Sequence, residues 1–210
     1  EALRSFVHDN RASQLTIADS RDWTESVLFT SFQKNVGCSV VIRGLRNVSG
    51  DVLGSFAAYT TNFTATLSGL SQWSGNAGRW ALESAANSAA VVEGADDFSG
   101  RSLASLGKLA RDVSIRLVDL RHWSGSAGRW ALEDAVGGSL VVVRAHDCSD
   151  FAFAPCGNSA RDVSVRLLDL RRWSGTAGRW ALQHAANSSL VVERAEDCNG
   201  TALASLGILA

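Results

Sequence analysis

"SIRLVDL" at Ser114–Leu120 is followed 25 residues later by "SLVVVRA" at Ser139–Ala145. "SVRLLDL" at Ser164–Leu170 and "SLVVERA" at Ser189–Ala195 continue at the same step. Toward the N-terminus, "AAVVEGA" begins at Ala89, "TATLSGL" at Thr64, "SVVIRGL" at Ser39 and "QLTIADS" at Gln14. Leu15, Val40, Ala65, Ala90, Ile115, Leu140, Val165 and Leu190 form one apolar column. Two residues on, Ile17, Ile42, Leu67, Val92, Leu117, Val142, Leu167 and Val192 form another. An apolar period of two is a strand with one buried face. The position between the two columns holds Thr, Val or Arg, which suits the outward face.

The rest of the unit repeats as well. A column of mostly large apolar residues holds Trp23, Val48, Trp73, Phe98, Trp123, Cys148, Trp173 and Cys198, and a turn follows it, usually Ser-Gly. A second strand-like stretch comes next ("GRWALE", "SLASLG"). Asn62, Asn87, Asp112, Gly137, Asp162 and Asn187 then turn the chain into the next copy. Gly and Ser recur too often for helices. Arg111–Ala135 and Arg161–Ala185 agree at 19 of 25 positions, so a 50-residue pair of units overlies the 25-residue step. Units with Trp and "AGRWAL" alternate with units carrying Phe or Cys and "LASLG".

A 50-residue unit by itself fits a propeller blade of the kelch type. Charge favours a coil instead. Asp119, Arg144, Asp169 and Arg194 share a column, as do His122, Asp147, Arg172 and Asp197. In a stacked coil these lie about 4.8 Å apart, and unlike charges directly opposed stabilise a sheet. The expected fold is all-β: one continuous single-stranded parallel β-helix, or solenoid, over 1–210, with about eight rungs in pairs. The repeat runs on to the last residues, so the chain is expected to be a segment of a longer array.

The pattern resembles the right-handed parallel β-helix of the pectin-lyase-like superfamily, from about Gln14 onward. That resemblance implies architecture. It would also imply acidic-polysaccharide cleavage if the superfamily's Asp clusters, His and Arg were in place. There is no "NTD", no "GHG" and no Arg-Ile-Lys. "ADD" at Ala95–Asp97 lies in a turn column, and Asp97, Asp147 and Asp197 stand two rungs apart, about 10 Å. That is too far to share a calcium ion.

No catalytic residue is assigned. "SGSAG" is not a nucleophile elbow, and Ser126 is replaced by Asn76 and Thr176 in sister units. No metal site or cofactor is expected either: the four histidines and four cysteines match no ligand spacing. Two tryptophan columns are the binding candidates, Trp73, Trp123 and Trp173, and Trp80, Trp130 and Trp180. The first is expected to face inward, and an outward column would be a ladder of rings about 10 Å apart. Arg79, Arg129 and Arg179 precede the second column. One member of each Arg-Trp pair should face out, and arginine outward is the cheaper choice. Cys148 and Cys156 are the disulfide candidate. Asn47, Asn62, Asn187 and Asn199 are glycosylation candidates.

The net charge of −1 gives no sign of a nucleic-acid partner, and no apolar run is long enough to span a membrane. The sequons point to an extracellular or cell-surface setting. A catalytic site needs unlike residues converging at one place and so must break the repeat. The departures from the repeat are mild. The expected function is therefore a structural or adhesive module of a filament or surface assembly, partnered end to end with itself or neighbouring segments, and with glycans through the tryptophans. The alternative is a polysaccharide-binding or polysaccharide-cleaving β-helix.

Overall fold

The computed structural model describes residues 9, 11–24 and 32–204, which form one parallel β-solenoid of about 7 turns. Its strands are β1 (Gln14–Ala18), β2 (Arg21–Trp23), β3 (Ser39–Arg43), β4 (Arg46–Val48), β5 (Thr64–Trp73), β6 (Ala89–Phe98), β7 (Arg111–Trp123), β8 (Val136–His146), β9 (Ser164–Arg171) and β10 (Ser189–Glu196). Every pairing is parallel, in the order β1-β3-β5-β6-β7-β8-β9-β10, with β2 and β4 extending one flank. Leu15 faces Val40, Ala90 faces Ile115, and Val165 faces Leu190, each pair 25 residues apart. The repeat column is thus the structural register. No helix occurs among the described residues, and the end of the last unit, 205–210, lies outside them.

The alternation read from the sequence holds along the strands. Val40, Ile42, Ile115, Leu117, Val165 and Leu167 are buried, while Arg116 and Arg166 between them are exposed. Each strand then bends at one residue in the left-handed region: Gly44, Gly69 and Gly94 (φ 60–65) and Asp119, Arg144 and Asp169 (φ 54–56). Glycine reaches this conformation without penalty, and aspartate is among the residues that tolerate it. The bend restarts the inward period, so Leu70, Leu120 and Leu170 are buried three residues after Leu67, Leu117 and Leu167.

The stretch expected to be a second strand is instead a run of turns. It holds few β-branched residues, and its backbone is left-handed at closely spaced positions, such as Leu82 and Ser84, and Trp130, Leu132 and Asp134. Such a backbone curls instead of extending. It stays stacked on its neighbours, because Gly78 and Leu82 donate to Val52 and Phe56 (both 2.9 Å) and Ser84 donates to Lys108 (2.8 Å).

Two glycine columns show why "WSG" and "AGRW" are written as they are. A Cβ on Gly100 would lie 2.8 Å from the backbone of Gly75, one rung away, in a residue that is itself left-handed (φ 65). Close backbone approach therefore requires glycine there. A Cβ on Gly128 would lie 2.6 Å from the ring of Phe153, and one on Gly78 would lie 2.8 Å from Leu103. The gap left by one rung receives the large side chain of the next. This interlock is the physical basis of the 50-residue pair.

Candidate functional site

The two tryptophan columns lie in opposite environments. Trp73, Trp123 and Trp173 are fully buried. Each indole N–H donates to a backbone carbonyl: Leu45 (3.3 Å), Ala95 (3.3 Å) and Ala145 (3.0 Å). The rings thereby enter the core without an orphan donor. They stack in the series Trp73, Phe98, Trp123, Phe153, Trp173, with centroids 4.8–5.7 Å apart and planes within 13°. This column is accordingly removed from the binding candidates, since no ligand in solvent reaches it. Phe153 enters the stack from outside the column that holds Trp123 and Trp173. It stands five residues after Cys148, whose small side chain leaves the ring position open.

Trp80, Trp130 and Trp180 are half-buried on the turn side, and so are the arginines before them. The expectation that arginine points out alone is corrected, because the pair lies flat together on the surface. Arg79 stands 4.1 Å from the Trp80 ring centre, Arg129 4.1 Å from Trp130, and Arg179 4.0 Å from Trp180. Arg129 is also 4.7 Å from the exposed ring of Phe151. A guanidinium over an indole face is attractive and keeps both groups partly hydrated. The Nε atoms of the three arginines are nevertheless buried without a hydrogen-bond partner. Burial, and then the nearby charge of Arg101, lower the affinity of Arg79 and Arg129 for their protons.

Between the first two stacks lies an open groove of about 340 Å³, lined by Arg79, Trp80, Glu83, Ser105, Lys108, Trp130 and Glu133. Ser105 occupies the tryptophan column in the intervening rung, so a small residue separates two large ones. Lys108 pairs with Glu133 at 2.8 Å. The groove presents aromatic, cationic and carboxylate groups together. Column alignment of the sequence places Ser105 between Trp80 and Trp130 and Lys108 between Glu83 and Glu133.

The charge columns form ladders. Arg144 grips Asp119 through Nε and Nη2 (2.5 and 2.8 Å), Arg194 meets Asp169 (2.6 Å) and Arg172 meets Asp147 (2.7 Å). Hydrogen bonding from Arg144 holds the Asp119 carboxyl below its ordinary range. His122 places Nδ1 2.8 Å from Asp96 and Nε2 3.9 Å from Asp147. Both ring nitrogens therefore face carboxylates, and neither is turned to a nucleophile. Asp97, Asp147 and Asp197 sit at a left-handed turn, as expected of a turn column (φ 54–59). No group of His, Cys, Asp and Glu among the described residues has the arrangement of a metal site.

Cys148 and Cys156 are not joined: both are free and buried. Burial raises the proton affinity of both thiols, that of Cys156 to a pKa of about 12. Cys148 lies in the inner ring column and Cys156 in the turn stretch. Asn47, Asn62, Asn187 and Asn199 are exposed, with the Asn47 amide donating to Asp22 (2.6 Å). Set against protein-family models, curated proteins and solved structures, the chain matches none.

Proposed function

We propose that the chain is a non-catalytic structural or adhesive module of an extracellular or cell-surface assembly, extended by further rungs end to end. The observation that carries this reading is the regularity of the polar surface. Asp119–Arg144, Asp147–Arg172 and Asp169–Arg194 each join equivalent positions one rung apart. These side chains serve the stack itself, whereas a reaction centre brings unlike residues to one point. Sedimentation velocity and negative-stain electron microscopy test the reading. Elongated species that grow with concentration support it, and a single compact 22-kDa particle throughout overturns it.

The second reading is polysaccharide binding, favoured by one specific observation: the half-exposed Arg-Trp stacks recur at two-rung intervals, about 10 Å, along one side of the solenoid. Sugar rings pack on indole faces while guanidinium groups hydrogen-bond hydroxyls and acids. Glycan-array binding that disappears in Trp130→Ala with the fold intact supports it. The resemblance of the repeat pattern to pectin-lyase-type helices would extend this reading to polysaccharide cleavage, which a depolymerisation assay on polygalacturonate checks.

A further inference from the structure

The wall that carries the Arg-Trp stacks changes its chemistry from one gap to the next. Between Trp80 and Trp130 the intervening rung supplies Arg101, Ser105 and Lys108. Between Trp130 and Trp180 the equivalent positions hold Phe151, Pro155 and Asn158. An Arg-Trp stack bounds each gap on both sides, so the difference lies in the rung between. A ligand site needs unlike residues at one place, and the first gap breaks the repeat in this way. Lys108 there is neutralised by Glu133 at 2.8 Å. Arg79, Arg101 and Arg129 make no side-chain hydrogen bond or ion pair with the described residues. Only the Nε atoms of Arg79 and Arg129 are buried, so their terminal Nη groups are the donors left open to solvent. Arg101 is exposed, and its charge bears on both Arg79 and Arg129. Asp51 and Glu83 offset part of the charge at Arg79, and Glu133 part of it at Arg129. Three guanidiniums on three successive rungs thus repel one another with no counter-ion in contact.

We infer that the gap between Trp80 and Trp130 binds a sulfate ester carried on a saccharide, with the sugar against the two tryptophans and the sulfate oxygens among Arg79, Arg101 and Arg129. The inference rests on the glycan reading above and names the sugar's substituent and the one gap that takes it. A carboxylate is planar, and a single guanidinium satisfies it with two parallel hydrogen bonds. Three guanidiniums arriving from separate rungs suit a tetrahedral group with three outward oxygens. The groove of about 340 Å³ is in the size range of small-ligand sites. In the next gap Phe151 takes the place of Arg101 and lies 4.7 Å from Arg129. That gap offers rings and no cation from its intervening rung, so the sulfate selects the first.

Isothermal titration calorimetry of the whole chain tests the site with three dextran oligosaccharides of equal length: sulfated, carboxymethylated and unmodified. The sulfated form is expected to bind at least about tenfold more tightly than either of the others, with the advantage shrinking in high salt. Arg101→Gln is expected to remove most of that advantage with circular dichroism unchanged, because Arg101 is exposed and holds no partner in the fold. Arg116→Gln removes an exposed arginine from β7 on the strand face and is expected to keep the advantage, which separates a local site from general charge. Carboxymethylated dextran bound as tightly as sulfated dextran overturns the site. So does a sulfate advantage that survives Arg101→Gln, or one that falls equally in Arg116→Gln. Glycan-array binding that persists beside any of these results leaves the glycan reading standing. A blank array together with no binding to any of the three dextrans overturns both.

Discussion

Trp123 and Trp130 stand seven residues apart, in one unit, and meet opposite fates. Trp123 is sandwiched in the core between Phe98 and Phe153, its N–H bonded to Ala95. Trp130 lies on the surface under Arg129. Residue type does not decide burial here; backbone does. Trp123 ends a strand that bends at left-handed His122 (φ 53), which turns the next side chain inward, whereas Trp130 is itself left-handed (φ 58) within a run of turns. The inner ring stabilises the stack, and the outer one is available for contacts.

The sharpest way to break that contrast is to truncate both. Trp123→Ala removes the central member of a five-ring column and is expected to cost about 3–5 kcal/mol, read by chemical denaturation. Trp130→Ala is expected to cost about 1 kcal/mol or less. Equal losses would sink the division into core and surface columns.

A smaller effect probes the interlock that produces the paired units. Gly128→Ala introduces a Cβ 2.6 Å from Phe153 at a left-handed residue and is expected to cost about 2–4 kcal/mol. Combining it with Phe153→Leu should recover the steric part and leave the backbone part. Strict additivity of the two changes would remove the steric argument.

Solvent quenching sharpens the comparison without testing stability. Iodide should quench the fluorescence of Trp80, Trp130 and Trp180, together with the partly exposed Trp23, and spare Trp73, Trp123 and Trp173. The triple replacement of the outer column by Phe should therefore abolish most of the quenchable signal. Thiol labelling follows the same logic. In the native protein at about pH 8, Cys198 should react well before Cys148 and Cys156, which are buried as neutral thiols. Equal rates under native conditions would contradict their burial.

The smallest effect concerns the charge ladder. Asp119 has a folded pKa below its unfolded value of about 3.9. Its contribution is complete above the unfolded pKa and is lost as pH falls through the folded one. Arg144→Gln should therefore lower stability slightly near neutral pH and converge with the parent in strong acid. High salt should shrink the difference, because the pair is exposed.

Much of this architecture was readable before any coordinates. The 25-residue register, the strand face carrying Ile115 and Leu117, the opposed charges of Asp119 and Arg144, and the turn role of Asp97 follow from column chemistry. A parallel stack places equivalent residues one above another, so each column reports a single environment. The turn half was not readable. Alternation assigns faces only while the backbone is extended, and closely spaced left-handed residues break the link between sequence spacing and direction. Reading "GRWALE" as a strand therefore misplaced Arg129 relative to Trp130. The absence of a Cys148–Cys156 disulfide and the entry of Phe153 into the tryptophan stack were likewise beyond columns. They depend on how volumes from neighbouring rungs fill one shared interior, a property of the packed solenoid that no single unit of the repeat contains.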